Sequence, residues 1–571
     1  MGLGCMRLST DESRAEEIAL QTIAAAVEAG VTVFDTAHAY GRGPDELGHN
    51  ERLLARALRR SGAEASARIV TKGGMTRAGG GWVPDGRAKA IRADCEASLE
   101  ALDGLPIDLY LLHAPDPRTP WRTSVRALAQ LHGAGVVRRV GLANVNRHQL
   151  DEALDLAPVA AVQVALGPGD DHAIRGGLVE RCADLGLTVI AHSPLGGPRG
   201  AGRLARNEVL AGIAATRGAT AAEVALAWLL ELSPIVVPIP GARRHETARS
   251  AARSAGLRLD PDETAAIDHS FGVARPGRAR QPRRTAVGDV VLVMGIPGAG
   301  KSRLAEDYVA RGYVRLNRDE RGGSLRDLAH ALAAELASGA RRVVVDATYP
   351  TRAVRSHVLE AAGRQRAAVR CVWLDTPLAQ AQVNLVERLL ERFGVLPTPE
   401  ELRALARREP GVLAPTSQMR ALRELEPPAV DEGFVRVERI AFRRTPPADR
   451  GRSGVLVAAA ALHTPGWEET LGRIEPAAPH LVFDWGPDGG AGDLADIAAR
   501  LAGRVSGPVE HALCPHPAGP PTCWCRPPLP GLPLAFAHAH GVDPARSTLV
   551  GTATAHRTLA TTLGAQYISC A

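Results

Sequence analysis

The stretch VTVFDTAHAYG, residues 31–41, decides the reading of this chain. Val31 to Phe34 form a short apolar run, and Asp35 and Tyr40 follow it in a turn closed by Gly41. A strand that hands two ionisable groups to the loop at its C-terminal end is the unit from which barrel active sites are assembled. Seven further short runs surround it: Leu3 to Met6, Arg68 to Thr71, Ile107 to Leu112, Val137 to Leu142, Ala160 to Val164, Leu187 to Ala191 and Ile235 to Pro238. Amphipathic stretches such as Glu16 to Ala29 and Ala88 to Leu102 lie between them. Alternating strands and helices over residues 1–272 predict an α/β domain of the (β/α)8 TIM-barrel type. Lys72 closes the third run and His113 the fourth, on the same end as Asp35 and Tyr40.

Basic composition points to the same place. Of 68 Lys and Arg residues only Lys72, Lys89 and Lys301 are lysines. Arginine is a broad fork that stays charged, whereas a lysine ammonium is compact and its pKa responds to burial. Lysine should therefore persist where arginine fails chemically, which marks Lys72 and Lys301 and leaves Lys89 as a surface residue. Net charge is +6, with arginine clusters at 275–284 and 443–452 that suit solvated linkers or a polyanionic partner. No apolar run approaches the roughly 20 residues of a membrane span, and residues 1–10 read as structural sequence rather than a signal peptide. A cytoplasmic protein is expected.

The motifs FDTAHAYG, VTKGG, DLYLLHAPDP, VGLANV, VQV, AHSPLGG and VPIPGARRHE run in order through residues 34–246 and resemble the aldo-keto reductase family. That resemblance implies reduction of a small carbonyl substrate. Tyr40 is then the proton donor, His113 orients the carbonyl, and Lys72, paired with Asp35, lowers the Tyr40 pKa. It also implies that Asn144 and Gln163 hold the nicotinamide amide, Ser193 and Leu195 the pyrophosphate, and Gly241 with Arg243 the adenosine end. Arg243 and Arg244 favour a 2′-phosphate, hence NADP(H). Three positions depart from the family pattern: His192 for a stacking tyrosine, Ala143 for a serine, and Ala251 near an adenine-binding asparagine.

After the 273–288 linker, Asp289 to Met294 reads as a strand running into GIPGAGKS, residues 295–302, and then a helix. This is a complete P-loop: Gly295, Gly298 and Gly300 let backbone N–H groups wrap ATP phosphates, Lys301 reaches the terminal phosphates and Ser302 holds Mg2+. With GYVRLNRDE (312–320), ARRVVVDATYP (340–350) and ELEPPAVDEGFVRVERIAFRR (424–444), residues 289–445 resemble the kinase module of polynucleotide 5′-hydroxyl kinases. The resemblance implies Asp319 as general base, with a helix cap as the alternative, and Arg326 as a ligand of the acceptor phosphate. Asp346 ends a strand on the same sheet edge, placed for magnesium or substrate. Arg388 and Arg392 are both candidates for a lid arginine.

Residues 446–571 contain CPHPAGPPTCWCRPPLPGL (514–532), which resembles the zinc loop of some haloacid dehalogenase-type phosphatases. Cys514, His516, Cys523 and Cys525 supply a closed structural Zn2+ site. The phosphatase carboxylates are missing: Ala458 and Ala460 follow the first strand, Pro527 replaces a lysine, Thr552 and His556 replace magnesium ligands, and Asp484 is the acid near a strand end. An inactive haloacid dehalogenase-like α/β domain is expected. The whole chain then reads as an NADP-dependent oxidoreductase fused to an ATP-dependent phosphotransferase acting on nucleic-acid 5′-hydroxyl ends. Two alternatives stay open: a small-metabolite kinase and reductase, or a kinase with a non-catalytic, NADP-sensing barrel.

Overall fold

The computed structural model describes residues 1–78, 81–197, 200–273, 288–442, 451–486, 491–519 and 521–570. The arginine cluster at 275–284, and residues 443–450 of the second cluster, lie outside them. Contacts divide the chain into two compact units, Met1–Ala279 with Arg352–Ser356, and Arg280–Thr351 with His357–Ala571.

The first unit is built on β1 (Gly2–Gly4), β2 (Val33–Asp35), β3 (Arg68–Gly73), the hairpin β4 (Met75–Ala78) and β5 (Gly81–Pro84), then β6 (Leu109–Leu112), β7 (Val140–Ala143), β8 (Val159–Ala165), β9 (Thr188–His192) and β10 (Val236–Pro238). Eight of these form one sheet in the order β1-β2-β3-β6-β7-β8-β9-β10, every pair parallel. The sheet closes on itself. Gly4 bridges to Gly241, and its N–H donates to the Pro240 carbonyl at 3.0 Å. A Cβ on Gly4 would come within 2.9 Å of the Ile239 carbonyl oxygen, so the seam requires glycine there. All eight apolar runs are strands, their ends displaced by one to a few residues because pairing, not hydrophobicity, sets a strand's limits. Alternation divides the side chains: Leu109 and Leu111 join Val70, Ala143, Ala161 and Ile190 in one core cluster, while Tyr110 and Leu112 pack in the other, beside the helices.

In the second unit β11 (Gly288–Met294), β12 (Val314–Asn317), β13 (Arg342–Asp346), β14 (Ala367–Asp375) and β15 (Arg436–Ala441) make a parallel sheet in the order β12-β13-β11-β14-β15. A second parallel sheet follows the order β18-β17-β16-β19-β20, from β16 (Val455–Ala458), β17 (His480–Trp485), β18 (Val509–Cys514), β19 (Thr548–Gly551) and β20 (Gln566–Ser569). One helix joins the second sheet's apolar core. Val383, Val386, Leu389 and Leu390 of helix Leu378–Phe393 pack in one cluster with Leu456, Phe483, Trp524 and Leu534. Among the described residues no single helix is long and apolar enough to cross a membrane; helices Glu208–Arg217 and Ala221–Leu232 reach that length only as a pair bent by 95°.

Candidate active sites

The barrel's C-terminal strand ends bring Asp35, Tyr40 and Lys72 together around one buried ammonium. Lys72 Nζ donates to Asp35 Oδ1 and Oδ2 at 2.8 and 2.7 Å, to the Thr36 carbonyl at 2.8 Å and to the Tyr40 hydroxyl at 3.2 Å. Lys72 is 1% exposed and Asp35 3%, so the pair is shielded from water. Burial pulls the ammonium pKa down, yet Asp35 and Tyr40 together push it above the ordinary lysine value. Lys72 lowers the Tyr40 pKa as expected, but the net shift is upward. Burial raises its pKa, and the opposing Lys72 charge recovers only part of that shift, so the phenol holds its proton more firmly than a free tyrosine. That state suits a proton donor. His113 stands against Tyr40 with ring centroids 5.6 Å apart. Burial and the Lys72 charge push its pKa well down, making it a neutral imidazole whose Nδ1 has no partner among the described residues.

Three residues that the motifs did not single out build this site. Trp82, on the β4–β5 hairpin, stands edge-on to Tyr40 at 5.9 Å and faces His113 at 6.1 Å, with the Arg77 guanidinium over its ring. Asn50 and Glu51, in helix His49–Arg60, tie the loop ends from behind. Thr36 Oγ1 donates to Asn50 Oδ1 at 2.7 Å, Asn50 Nδ2 donates to the Cys5 carbonyl, and Thr71 Oγ1 donates to Glu51 at 2.5 Å. Burial raises the Glu51 carboxyl to about 7. In sequence these two look like ordinary polar helix positions, because their partners lie on strands read separately.

The residues expected at the cofactor hold one another. Asn144, at φ 57°, donates to the His113 carbonyl and meets His192 Nε2 at 2.9 Å, while Gln163 Nε2 donates to Asp35 at 2.7 Å. His192 thus supports Asn144 where the family pattern has a stacking tyrosine. Ser193, at φ 50°, and Leu195 line a cleft of about 330 Å³ with Gly167, Gly196 and Arg203. Arg243 and Arg244 line a second cleft of about 180 Å³, where Arg243 Nη1 pairs with Asp11 at 3.1 Å. Gly241 forms the barrel seam opposite Gly4. Ala143 is buried in the core, and Lys89 is exposed, as its sequence context implies.

In the second unit the loop 295–302 follows β11 into helix Lys301–Val309. Gly295, Gly298 and Gly300 have φ of 155°, 85° and 93°. A Cβ at Gly298 would lie 2.3 Å from the Ala381 carbonyl oxygen, so the loop backbone presses directly on helix Leu378–Phe393. Its carbonyls are held from three elements: Thr376 Oγ1 donates to Ala299, Asn384 Nδ2 to Gly298 and Gln418 Nε2 to Pro297, at 3.2, 2.7 and 2.8 Å. Lys301 Nζ donates to the carbonyls of Gly295 and Ile296, both at 3.0 Å, and burial lowers its pKa to about 8. Ser302 is exposed on the first helical turn.

Asp346 ends β13, 1% exposed, and accepts from Arg315 and Asn317, each at 2.8 Å. Asn317 also caps helix Arg318–Arg321, accepting from the Asp319 and Glu320 N–H groups. The cap is therefore Asn317, leaving the Asp319 carboxylate exposed with Arg318 beside it. Arg326 is exposed in the first turn of helix Leu325–Ala337. The structure separates the two lid candidates. The charge of Arg388 acts on Lys301, whereas Arg392 is paired with Glu409 and lies over Phe393.

The third strand set gathers Cys514, His516, Cys523 and Cys525, whose ligand atoms all lie within 4.8 Å of one another. Cys514 Sγ is 3.4 Å from His516 Nδ1, 3.7 Å from Cys523 Sγ and 3.2 Å from Cys525 Sγ. In this sheet the strand order reverses between β16 and β19, the crevice where α/β folds place their ligands. Ala458 ends β16 there and Ala460 follows it, and His556 turns its Nδ1 onto the N–H groups of Thr552 and Ala553 at 3.2 and 3.3 Å. Asp484 is exposed at the end of β17.

Comparison with known proteins agrees with this division. The Aldo/keto reductase family model matches residues 1–270, and the AAA domain model, a P-loop type, matches residues 290–409. An uncharacterized oxidoreductase of Schizosaccharomyces pombe is 30% identical over 274 residues, covering 47% of this chain and 85% of its own. The protein named "Probable aldo-keto reductase 1" of Glycine max is 32% identical over 275 residues, 42% of this chain and 76% of its own. A crystal structure of an aldo/keto reductase from Klebsiella pneumoniae with NADP and acetate is 26% identical, covers 48% of this chain and 93% of its own, and has a TM-score of 0.42. With its barrel spanned by the family model and with relatives of 30% and 32% identity matched over 85% and 76% of their own lengths, the chain belongs to the aldo/keto reductase family.

Proposed function

We propose that the barrel is an NADP(H)-dependent carbonyl reductase and that the second unit is an ATP-dependent kinase for nucleic-acid 5′-hydroxyl ends, carrying a phosphatase-like fold without catalysis. The observation that carries the reductase reading is the buried Lys72 ammonium holding Asp35 and Tyr40 beside a neutral His113. The cofactor fits the residues present: Ser193 and Leu195 line the larger cleft, and Arg243 and Arg244 stand in the smaller one, where a 2′-phosphate would compete with Asp11 for Arg243. NADPH, when bound, supplies the hydride for the carbonyl carbon. Tyr40 gives its proton to the carbonyl oxygen, and Lys72 stabilises the phenolate left behind. His113 Nε2 donates a hydrogen bond that fixes the carbonyl, and Trp82 walls the substrate side.

For the kinase, Gly298 pressed on Ala381 and Lys301 within the loop fit a nucleotide triphosphate, with Ser302 at hand for Mg2+. ATP, when bound, supplies the γ-phosphoryl group. Asp319 takes the proton from the acceptor hydroxyl as its oxygen bonds to the γ-phosphorus and the bond to ADP breaks. Exposed Arg318, Arg321 and Arg326 around Asp319 favour an acceptor that carries its own phosphates. Cys514, His516, Cys523 and Cys525 fit Zn2+: bonds of about 2.3 Å from one ion set tetrahedral sulfurs ~3.8 Å apart, near the separations found. At the phosphatase-like crevice no carboxylate stands at Ala458 or Ala460, and His556 occupies the backbone donors that an anion would need.

The experiment is transfer of labelled γ-phosphate to 5′-hydroxyl DNA, RNA and small sugar acceptors, with Lys301→Ala and Asp319→Asn as controls. Transfer to oligonucleotides, lost in both variants, is expected. Transfer to sugars alone would replace the nucleic-acid reading with a metabolite kinase. In parallel, Tyr40→Phe should abolish NADPH oxidation by simple aldehydes; NADPH binding without oxidation in the wild type would make the barrel a sensor.

A further inference from the structure

The Cys514, His516, Cys523 and Cys525 cluster is linked to the phosphate loop through Trp524 and the segment that it bonds. Trp524, between two of the cysteines, is 1% exposed and donates its indole N–H to the Leu413 carbonyl at 2.9 Å. Its own carbonyl accepts from Gly531 at 3.0 Å, where a Cβ would come within 2.4 Å, so the tryptophan backbone is pinned on that side as well. Leu413 stands two residues before helix Pro415–Glu424. Gln418 of that helix is fully buried and donates to the Pro297 carbonyl inside the loop. The Trp524 indole also packs in the apolar core that receives Val383, Val386 and Leu390 of helix Leu378–Phe393. The same helix presents Asn384 and the Ala381 carbonyl to Gly298. Trp524 thus bonds the segment that leads into the element holding Pro297 and shares an apolar core with the element holding Gly298.

Trp524 itself is held within a stretch dominated by prolines. Among the described residues the side-chain bonds spanning that stretch, beyond the cluster, are those of Arg526 to the Pro517 and Gly519 carbonyls and of Trp485 to the His516 carbonyl at 2.7 Å. A metal joining Cys514 at the end of β18 to Cys523 and Cys525 would fix Trp524 from both neighbouring residues.

We propose that the zinc loop is a clamp on the kinase: metal in the Cys3His cluster, acting through Trp524, sets the phosphate-binding loop, so nucleotide affinity depends on metal occupancy. This rests on the loop being an ATP site. The clamp needs no chemistry at the phosphatase-like crevice, which would explain a metal loop kept beside a crevice without carboxylates. Trp524, Leu413 and Gln418 are positioning residues, since none of them is placed to touch the nucleotide.

The test uses the full chain and measures zinc by elemental analysis, fold by circular dichroism and Mg-ATP affinity by calorimetry. Wild type as purified should hold one zinc and bind ATP; chelation should weaken ATP binding about tenfold or more, and zinc should restore it. Trp524→Phe keeps the ring but leaves the Leu413 carbonyl unpaired. It should keep zinc and an unchanged spectrum while losing roughly five- to tenfold in ATP affinity. Lys301→Ala should keep zinc and lose ATP. Wild-type ATP affinity in both stripped protein and Trp524→Phe would overturn the clamp alone. Zinc-loaded wild type that fails to bind ATP would instead overturn the nucleotide reading beneath it, and metal-free protein with full ATP affinity would remove the metal from the argument.

Discussion

Replacing Lys72 by methionine keeps side-chain volume and deletes the charge, and the structure sets the consequence. Asp35 accepts two bonds from the ammonium and one from Gln163, and it is 3% exposed. Without Lys72 the carboxylate stays buried with Gln163 as its remaining side-chain donor. Breaking a buried ion pair from one side costs about 3–5 kcal/mol, because the surviving charge has neither water nor partner. For a domain of this size 1 kcal/mol moves the melting midpoint by about 2–4 °C, so calorimetry should show the barrel transition falling by roughly 6–20 °C. Adding Asp35→Asn removes the stranded charge, and the double variant should recover at least half the loss. A single variant within about 2 °C of wild type at pH 8, or a double variant less stable than the single, would refute the reasoning.

Two other predictions concern pH. Folded Glu51 keeps its proton up to about pH 7, against an ordinary value of 4.5, so it favours the folded state fully below 4.5 and that contribution, ~3 kcal/mol, is lost as pH rises to 7. Glu51→Gln should remove this slope from the barrel's melting curve between pH 4.5 and 7; parallel curves for variant and wild type would count against it, with His38, whose pKa burial lowers, pulling the opposite way in both. Lys301 titrates near 8, so ATP affinity should hold below that pH and weaken by up to about tenfold per unit above it, with proton uptake on binding. Calorimetry in two buffers of different ionisation heat detects the uptake, and a flat affinity from pH 7 to 9.5 would exclude the role.

Much of the site was legible because its chemistry depends on residue types that stand out locally. A lysine among arginines, an Asp–Tyr pair after a strand and a complete GxxxxGKS loop each announce themselves within a few positions. The Cys3His cluster was legible for the same reason, its four residues lying within twelve positions. Asn50, Glu51 and Trp82 were not, because their partners come from other strands. Lys72 lowers the Tyr40 pKa as its charge implies, but a sequence does not show the complete burial that outweighs it. Arg388 and Arg392, one turn apart on the same helix, could be told apart only once Glu409 was seen to take Arg392.

The sequence by itself determined the eight-run barrel, the P-loop and the cysteine cluster, because strand periodicity and short motifs are local. Tertiary structure alone decided that His192 braces Asn144, that Asn317 rather than Asp319 caps its helix, and that Trp524 ties the cysteine cluster to Leu413. Those outcomes depend on which distant backbones are brought within hydrogen-bonding reach and on how much water is excluded between them, and neither is written in the spacing of residues along a chain.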